Sequence, residues 1–190
     1  MQTYQEELTA LINQNLPWEK LSGKTIMLSG ATGMIGKCMI DLMMQYNSTC
    51  PSEQQVSIIA LRRKEESARQ RLGEYWDKET FRYICCDVNQ GIPECGNVDY
   101  VIDAASNTHP LQYSQDSVGT ITSNVIGTKN LLDYAVSHST MRFCFISSVE
   151  IYGENRGDVD LFTEDYQGYI DCNTLRAGYP ESKRGGEALC

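Results

Sequence analysis

Three glycines, Gly30, Gly33 and Gly36, recur every third residue directly after the apolar run 25–29. Between a strand and a helix, glycine lets the backbone pass close to a pyrophosphate, while the helix N-terminus offers free N–H groups and a positive dipole end. The spacing Gly-x-x-Gly-x-x-Gly differs from Gly-x-Gly-x-x-Gly and indicates a particular branch of the dinucleotide-binding domains. A purely structural glycine turn is the alternative.

Strand and helix patterns alternate along the chain. Strands are predicted at 25–29, 56–61, 81–86, 99–103 and 142–147, and helices at 34–46, 65–76 and 117–137. Such alternation favours a parallel sheet covered by helices on both faces. The predicted fold class is therefore α/β, a doubly wound Rossmann sheet. A chain of 190 residues suits one domain with a substantial core.

The first fifteen residues predict a short amphipathic helix, because Tyr4, Leu8 and Ile12 recur at helical spacing. We assign residues 1–20 to an N-terminal helical extension and residues 21–190 to an NAD(P)-binding Rossmann domain. The helix could pack on this domain or on a partner, so a homodimer is one expectation.

Composition excludes several classes of function. A formal net charge of −9 argues against nucleic-acid or anionic-membrane partners. No apolar run approaches the roughly 20 residues that span a bilayer, and no basic flank of a secretion signal is present, so we expect a cytoplasmic protein. The eight cysteines lack framework spacing and predict buried thiols, with Cys85, Cys86 and Cys144 inside apolar runs. His109 and His138 have no ligand spacing, so no metal site is predicted.

Tyr179 and Lys183 lie four residues apart, which places them on one face of a helix. A nearby ammonium favours the phenolate over the phenol, whose ordinary pKa is about 10, and makes the tyrosine a usable acid or base. Taken alone, the pair also fits a surface pairing. Between residues 153 and 177 the periodicity disappears, which fits either a functional loop or a solvated excursion.

Further cofactor contacts are expected at the carboxyl ends of the strands, where open α/β sheets bind ligands. Asp87 follows the third predicted strand and is placed to meet the adenine amino group. Ala104, Ala105 and Ser106 follow the fourth and are expected to line the ribose and nicotinamide.

The second predicted strand is followed by Arg62 and Arg63, where an NAD-specific domain would carry an acidic residue for the ribose 2′-hydroxyl. An arginine there tolerates a 2′-phosphate, so NADP is favoured over NAD. Two alternatives stay open: Arg62 could stack on adenine, and Glu65 or Glu66 could reach back to the ribose.

Six ordered motifs together resemble the extended short-chain dehydrogenase/reductase family, the nucleotide-sugar epimerases, dehydratases and decarboxylases. They are Gly30–Gly36, Asp87–Val88, Asp103–Asn107, Asn124–Leu131, Ser147–Gly153 and Tyr179–Lys183. Residues 176–184, with Glu150 upstream, are most similar to UDP-glucuronate decarboxylases and dTDP-glucose 4,6-dehydratase-like relatives. The cofactor residues expected in total are Gly30, Thr32, Gly33, Met34, Ile35, Gly36, Arg62, Asp87, Val88, Ala104, Ala105, Ser106, Asn124, Tyr179 and Lys183.

The resemblance implies an enzyme that uses tightly bound NAD(P) to oxidise a nucleotide-sugar hydroxyl transiently, as a decarboxylase or an epimerase. Tyr179 would take the hydroxyl proton, Lys183 would hold the nicotinamide ribose and lower the tyrosine pKa, and Ser148 would hydrogen-bond the reacting oxygen. Glu150 would serve the later step on the keto intermediate. Ser148, Glu150 and Arg176 are expected to contact the substrate.

Two departures from the family pattern qualify this expectation. Val149 stands where the dehydratases carry an aspartic acid, and valine cannot donate a proton, so dehydration is less favoured. Family members continue past the Tyr-x-x-x-Lys helix into a C-terminal substrate lobe, whereas this sequence ends at Cys190. The expectation is an N-terminal fragment of such an enzyme; the alternative is an NAD(P)-binding regulatory or inactive truncated protein without turnover.

Overall fold

The computed structural model describes residues 3–190, apart from the side chains of Pro110 and Gln112. Its strands are β1 Thr25–Ser29, β2 Ser57–Arg62, β3 Phe81–Cys85, β4 Tyr100–Asp103 and β5 Arg142–Phe145. They form one parallel sheet in the order β3-β2-β1-β4-β5. The order reverses between β1 and β4, which is the point where open α/β sheets bind ligands. The predicted doubly wound α/β class is confirmed.

The α-helices precede, connect and follow these strands. They are α1 Tyr4–Ile12, α2 Met34–Asn47, α3 Glu65–Leu72, α4 Pro110–Gln115, α5 Ser117–Thr122, α6 Thr128–Ser137 and α7 Gly178–Leu189. A π-helical turn, Ser123–Gly127, joins α5 to α6 without a break, so the long helix predicted at 117–137 is one helical segment. The sequence patterns did not predict α4.

Two predicted helices are shorter in the structure than in the sequence pattern. The helix predicted at 65–76 ends as an α-helix at Leu72, because Gly73 begins a 3-10 turn and glycine is a poor helix former. The helix predicted over the first fifteen residues ends at Ile12. Residues 1 and 2 of that prediction lie outside the described residues.

The sheet is buried on both faces by two apolar layers. Ile26 and Leu28 of β1 pack in one layer with Ile40 of α2. Met27, between them, points into the opposite layer with Leu131 of α6. Each of these side chains is at most 3% exposed. Full burial of such a side chain contributes about 1.5–3 kcal/mol, so the two layers explain why the strands are continuous apolar runs.

The cysteines only partly match their prediction. Cys86 is buried, but Cys85 and Cys144 are exposed, so the expectation of buried thiols is wrong for those two. Both lie in the edge strands of the sheet, β3 and β5. A strand next to one neighbour only is covered less completely than a central strand, and an apolar sequence run does not show which strand is at the edge.

Within residues 3–190, no helix is long and apolar enough to cross a bilayer. Over the same range, no group of three or more His, Cys, Asp or Glu side chains is arranged to hold a metal ion. His138 follows α6, and its Nε2 lies 3.1 Å from Glu94 Oε2.

Helix α1 docks on α2. The Leu8 side chain is 2% exposed. The Tyr4 hydroxyl donates to Asp41 Oδ2 at 2.8 Å, and Lys37 Nζ donates to Asp41 Oδ1 at 2.7 Å. Burial, followed by the bond to Asp41, raises the pKa of Tyr4. Helix α1 is therefore attached to the sheet domain of its own chain. The predicted domain boundary at residue 20 and the predicted homodimer stay predictions.

The carboxyl ends of β1 and β4 are joined by a buried network around Ser29 and Asp103. The Ser29 hydroxyl donates to Asp103 Oδ1 at 2.6 Å and accepts from the N–H groups of Ala104 and Ala105 at 3.0 and 3.1 Å. Thr128 donates to the other Asp103 oxygen at 2.7 Å, which ties α6 to the same point. Asp103 is 2% exposed, and a carboxylate is stable at such depth only when its oxygens are bonded.

We expect Ser29→Ala to lower the free energy of unfolding by about 1–3 kcal/mol, because a buried carboxylate oxygen and two partly buried N–H groups lose the hydroxyl as their partner. Urea denaturation measures this change. Ser67→Ala is the matched control, since it removes a hydroxyl that bonds the Lys64 carbonyl at the exposed start of α3. That control should lose less than about 0.5 kcal/mol. Equal losses in both variants would contradict the role given to Ser29.

Candidate active site

The glycine turn after β1 requires glycine at two of its positions. Gly30 has a φ of +65°, and a Cβ there would lie 2.3 Å from the carbonyl oxygen of Ala104. A Cβ on Gly36, in the first turn of α2, would lie 2.5 Å from the Gly30 oxygen. No side chain fits at such distances, so Gly30 allows the turn to lie directly against the end of β4, and Gly36 allows α2 to pack directly against the turn.

The same turn presents the start of α2 to solvent. Gly33 precedes the helix and supplies no capping side chain, so the N–H groups of the first turn are available to an anion. Thr32 is buried, whereas Met34 and Ile35 are 83% and 46% exposed. The predicted cofactor residues of the turn are thus placed around a free helix N-terminus.

A cavity of about 100 Å³ lies at this point of the sheet and is called here the nucleotide cavity. Eight of the predicted cofactor residues line it: Gly30, Gly33, Arg62, Asp87, Val88, Ala104, Ala105 and Ser106. Leu61, Cys86, Asn107 and Ser123 also line it and were not predicted. The carboxyl ends of β1, β2, β3 and β4 therefore meet at one cavity, as parallel strands require.

Two groups at the nucleotide cavity suit a polar ligand. Ser106 Oγ and Arg62 Nε are buried and have no hydrogen-bond partner among the described residues. Buried polar groups are normally bonded, so each has unused capacity for a ligand atom. With the uncapped helix and the glycine contacts, the residues present fit a dinucleotide.

Asn124 lies in the π-helical turn and is fully buried. Its Nδ2 donates to Ser182 Oγ at 2.9 Å, and Ser182 Oγ donates to the Tyr179 carbonyl at 2.8 Å. Its Oδ1 is buried without a partner within residues 3–190. Asn124 does not line the nucleotide cavity, but its neighbour Ser123 does, so the π-helical turn connects the cavity to α7.

Tyr179 and Lys183 occupy the first two turns of α7 and are 6% and 2% exposed. The Lys183 ammonium donates to the Ile146 carbonyl at 2.6 Å and lies 4.5 Å from the centroid of the Phe145 ring. In the described part of the chain, no hydrogen bond joins it to the Tyr179 hydroxyl. Burial lowers the pKa of Lys183, and the Asp103 carboxylate opposes this shift.

The Glu150 carboxylate lies in a polar cluster after β5. Arg176 donates from Nη2 to Oε1 at 2.7 Å and from Nε to Oε2 at 3.2 Å, a bidentate pair. Ser148 Oγ accepts from the Glu150 N–H at 3.2 Å and so begins the 3-10 turn Val149–Tyr152. The pair with Glu150 raises the pKa of Arg176. The three residues predicted to contact the substrate are therefore adjacent.

Tyr113 links this cluster to Tyr179. Its hydroxyl donates to Glu150 Oε1 at 3.3 Å, and its ring stacks on that of Tyr179 with centroids 4.9 Å apart and planes inclined by 12°. Tyr113 is 2% exposed; burial, and then the Glu150 charge, raise its pKa. The sequence analysis missed this residue because it lies in α4, where no periodic pattern marks a helix.

A second cavity, of about 220 Å³, borders the Glu150 cluster. It is lined by Glu150 and Arg176 together with Glu154, Tyr169 and Asp171 from the segment 153–177. Part of that segment therefore forms the wall of a concave site. This observation favours the functional interpretation of the segment over a solvated excursion.

Known proteins resemble this chain in sequence and in fold. Residues 26–190 match the model of the NAD dependent epimerase/dehydratase family. UDP-glucuronic acid decarboxylase 1 of Danio rerio is 30% identical over 168 residues, which are 88% of this chain and 37% of that protein. UDP-glucuronic acid decarboxylase 6 of Arabidopsis thaliana is 29% identical, over 88% of this chain and 46% of that protein. The chain thus spans less than half the length of these relatives.

Among solved structures, the dTDP-glucose 4,6-dehydratase of Streptomyces venezuelae with NAD bound superposes with a TM-score of 0.70 at 22% identity. The match covers 87% of this chain and 50% of that chain, and it shows the shared fold. Because the family model matches the sequence from β1 to the last residue of the chain, the protein belongs to the NAD dependent epimerase/dehydratase family.

Proposed function

We propose that this chain carries the cofactor-binding and proton-transfer part of a nucleotide-sugar-modifying enzyme, a decarboxylase or an epimerase. One observation carries the proposal: Glu150 and the buried Tyr179, two acid–base side chains, are joined through the buried ring of Tyr113 in a single cluster. The π-helical turn links α7 of this cluster to the nucleotide cavity. A purely dinucleotide-binding protein has no need of the second acid–base group.

The nucleotide cavity would hold NAD or NADP. The N-terminus of α2 and the glycine turn would bind the pyrophosphate, Asp87 the adenine, and Ala104 to Ser106 the ribose and nicotinamide. A nicotinamide ring supplies a hydride acceptor when it is bound there. Ser106 Oγ, buried without a partner in the described structure, is free to donate to the ligand.

Tyr179 would take the proton of the sugar hydroxyl that becomes a carbonyl, and Ser148 would donate to the same oxygen. Lys183, one helical turn from Tyr179, would contribute a positive charge that favours the phenolate. Because the lysine is 2% exposed, water screens this charge weakly. The proton returns from Tyr179 when the carbonyl is reduced again, so the tyrosine is unchanged after one cycle.

Glu150 would act on the oxidised sugar, as the acid or base of the second step. Its bidentate bond to Arg176 orients the carboxylate, and both residues line the second cavity. The Arg176 side chain is 65% exposed, so it can also bind an anionic group of the substrate. Relatives named as UDP-glucuronic acid decarboxylases support decarboxylation, and Val149 makes dehydration the least favoured chemistry.

A second candidate function is dinucleotide binding without turnover. It is favoured by the bond from Lys183 Nζ to the Ile146 carbonyl at 2.6 Å, since in the described part of the chain no hydrogen bond joins Lys183 to the Tyr179 hydroxyl. Turnover and binding are separable by experiment.

We expect the full-length protein that contains this chain to form product from at least one member of a panel of UDP- and dTDP-sugars, without net accumulation of reduced cofactor. Product mass and nicotinamide absorbance measure the two quantities. Tyr179→Phe should lower product formation by about 100-fold or more, because it removes the general base. Tyr166→Phe is the matched control, since this loop hydroxyl bonds only Asp158 among the described residues. Cofactor binding with no product from any sugar would favour the second candidate.

Tyr113→Phe keeps the ring that stacks on Tyr179 and removes the hydroxyl that positions Glu150. We expect kcat to fall about tenfold, the size of one hydrogen bond to a charged group, while the Kd of the cofactor stays unchanged. Tyr113→Leu also removes the ring and should lower Tm in addition. If Tyr113→Phe kept the kcat of the wild type, the Tyr113 hydroxyl would have no role in positioning Glu150.

Lys183→Met tests whether the buried ammonium destabilises the fold. The pKa of Lys183 is lower in the folded protein than in the unfolded chain, where it is about 10.4. Between these two pKa values the unfolded chain binds more protons than the folded protein, so stability rises with pH there. The free energy of unfolding of the wild type, minus that of Lys183→Met, should therefore rise as pH increases from 7 towards 10. Denaturant titrations at several pH values measure the difference, in which other titrating groups cancel. A difference that falls with pH would reverse the sign assigned to Lys183.

A further inference from the structure

We propose that Arg184 and Gly168 are positioning residues for Glu150. Together they hold the 3-10 turn Val149–Tyr152, in which Glu150 lies, against residues 167–169, and this set of contacts is called here the clamp. Among the described residues, no hydrogen bond joins Arg184 or Gly168 to the Glu150 carboxylate. The inference rests on the proposed function, because it assigns what keeps the second acid–base group in place.

Arg184 holds two segments of the chain at once. It follows Lys183 on α7 and is half-buried. Its Nε donates to the Ile151 carbonyl at 2.7 Å, and its Nη2 donates to the carbonyls of Gln167 and Gly168, the latter at 3.3 Å. Within residues 3–190 it makes no ion pair. A planar guanidinium presents its N–H donors in a fixed fork, so one side chain can bond carbonyls of both segments.

The same two segments are in backbone contact, which two glycines permit. Gly153 and Gly168 have φ values of +66° and +55°. A Cβ on Gly153 would overlap the Tyr169 carbonyl, and a Cβ on Gly168 would overlap the Tyr152 carbonyl. The Glu154 N–H donates to the Tyr169 carbonyl at 3.0 Å beside this contact. A side chain at either glycine would force the two segments apart.

An aromatic pair adds a further contact between the turn and the segment 153–177. The ring of Tyr152, the last residue of the turn, stacks on Phe162 with centroids 5.6 Å apart and planes inclined by 22°. The turn is therefore attached to this segment by a side chain as well as by its backbone.

Glu150 depends on the position of its turn because its partners come from other elements. Arg176 donates to it from the end of the segment 153–177, and Tyr113 donates to it from α4. A displacement of about 1 Å at an acid–base group can lower a rate about 100-fold. Since Arg184 lies on the helix that begins with Tyr179, the clamp ties the turn of Glu150 to the helix of the other acid–base residue.

Hydrogen exchange measures the clamp without any turnover. In the full-length protein that contains this chain, we expect Arg184→Ala to speed amide exchange about tenfold in peptides that cover residues 149–154 and 167–170, the effect of one charged hydrogen bond. Peptides that cover β1 should exchange as in the wild type. Arg142→Ala is the matched control, because it removes an exposed arginine that bonds the Met141 carbonyl.

Steady-state kinetics of the same protein measures positioning. With a sugar that the wild type converts, Arg184→Ala should lower kcat about tenfold or more, while the Kd of the dinucleotide stays within about twofold. Arg184→Lys keeps the charge without the fork and should lose less. Leu8→Ala destabilises the buried contact of α1 and should lower Tm without lowering kcat, which separates positioning from general instability.

Each outcome has one meaning. Unchanged exchange in Arg184→Ala overturns the clamp, and faster exchange with the kcat of the wild type overturns the positioning role; both leave the proposed function standing. Absence of product from the wild type with every sugar overturns the proposed function and the positioning role with it, while the exchange rates still decide whether the clamp exists. Should circular dichroism show that Arg184→Ala does not fold, Arg184→Lys decides between the same outcomes.

Discussion

The approach of the Gly30 backbone to Ala104 is the contact on which the rest of the structure depends. A single Cβ at Gly30 would lie 2.3 Å from the Ala104 oxygen, so the ends of β1 and β4 reach this distance only with glycine. Ser29 and Asp103 then hold the two strand ends with buried hydrogen bonds. The result is a cavity bordered by strand ends and by the uncapped start of α2, at the place where the strand order reverses. Ligand binding at this point follows from sheet topology.

The candidate catalytic cluster depends on a second set of contacts, between helices. Ser182 lies between Tyr179 and Lys183 on α7 and accepts a hydrogen bond from Asn124 of the π-helical turn. That bond ties α7 to the π-helical turn. Tyr113, from the short α4, then fills the space between Tyr179 and Glu150. Such π-helical turns are frequent at functional sites, and here the turn joins the nucleotide cavity to the helix with the acid–base residue.

The charges around the nucleotide cavity suit an anionic ligand. The chain has a net charge of −9, yet Arg62 and Arg63 line the cavity, and neither makes an ion pair among the described residues. Lys183 also makes no ion pair there and is almost fully buried, where a charge is costly unless hydrogen-bond acceptors surround it. Under the proposed function, the pyrophosphate of the dinucleotide would attract the arginines, and its ribose would accept a hydrogen bond from the lysine.

The amino-acid sequence by itself determined the sheet, the glycine turn and the helix with Tyr179 and Lys183. These features are local: an apolar run, a glycine spacing and a four-residue interval each lie within one element. The sequence did not show which residues contact Glu150, because Tyr113, Glu150 and Arg176 belong to three separate segments that meet only after α4 and α7 pack together. The exposure of Cys85 and Cys144 was likewise decided by strand order, since an edge strand and a central strand have the same apolar pattern. Periodicity reports the conformation of a segment, whereas burial and hydrogen-bond partners depend on which segments become neighbours, and tertiary packing alone sets that.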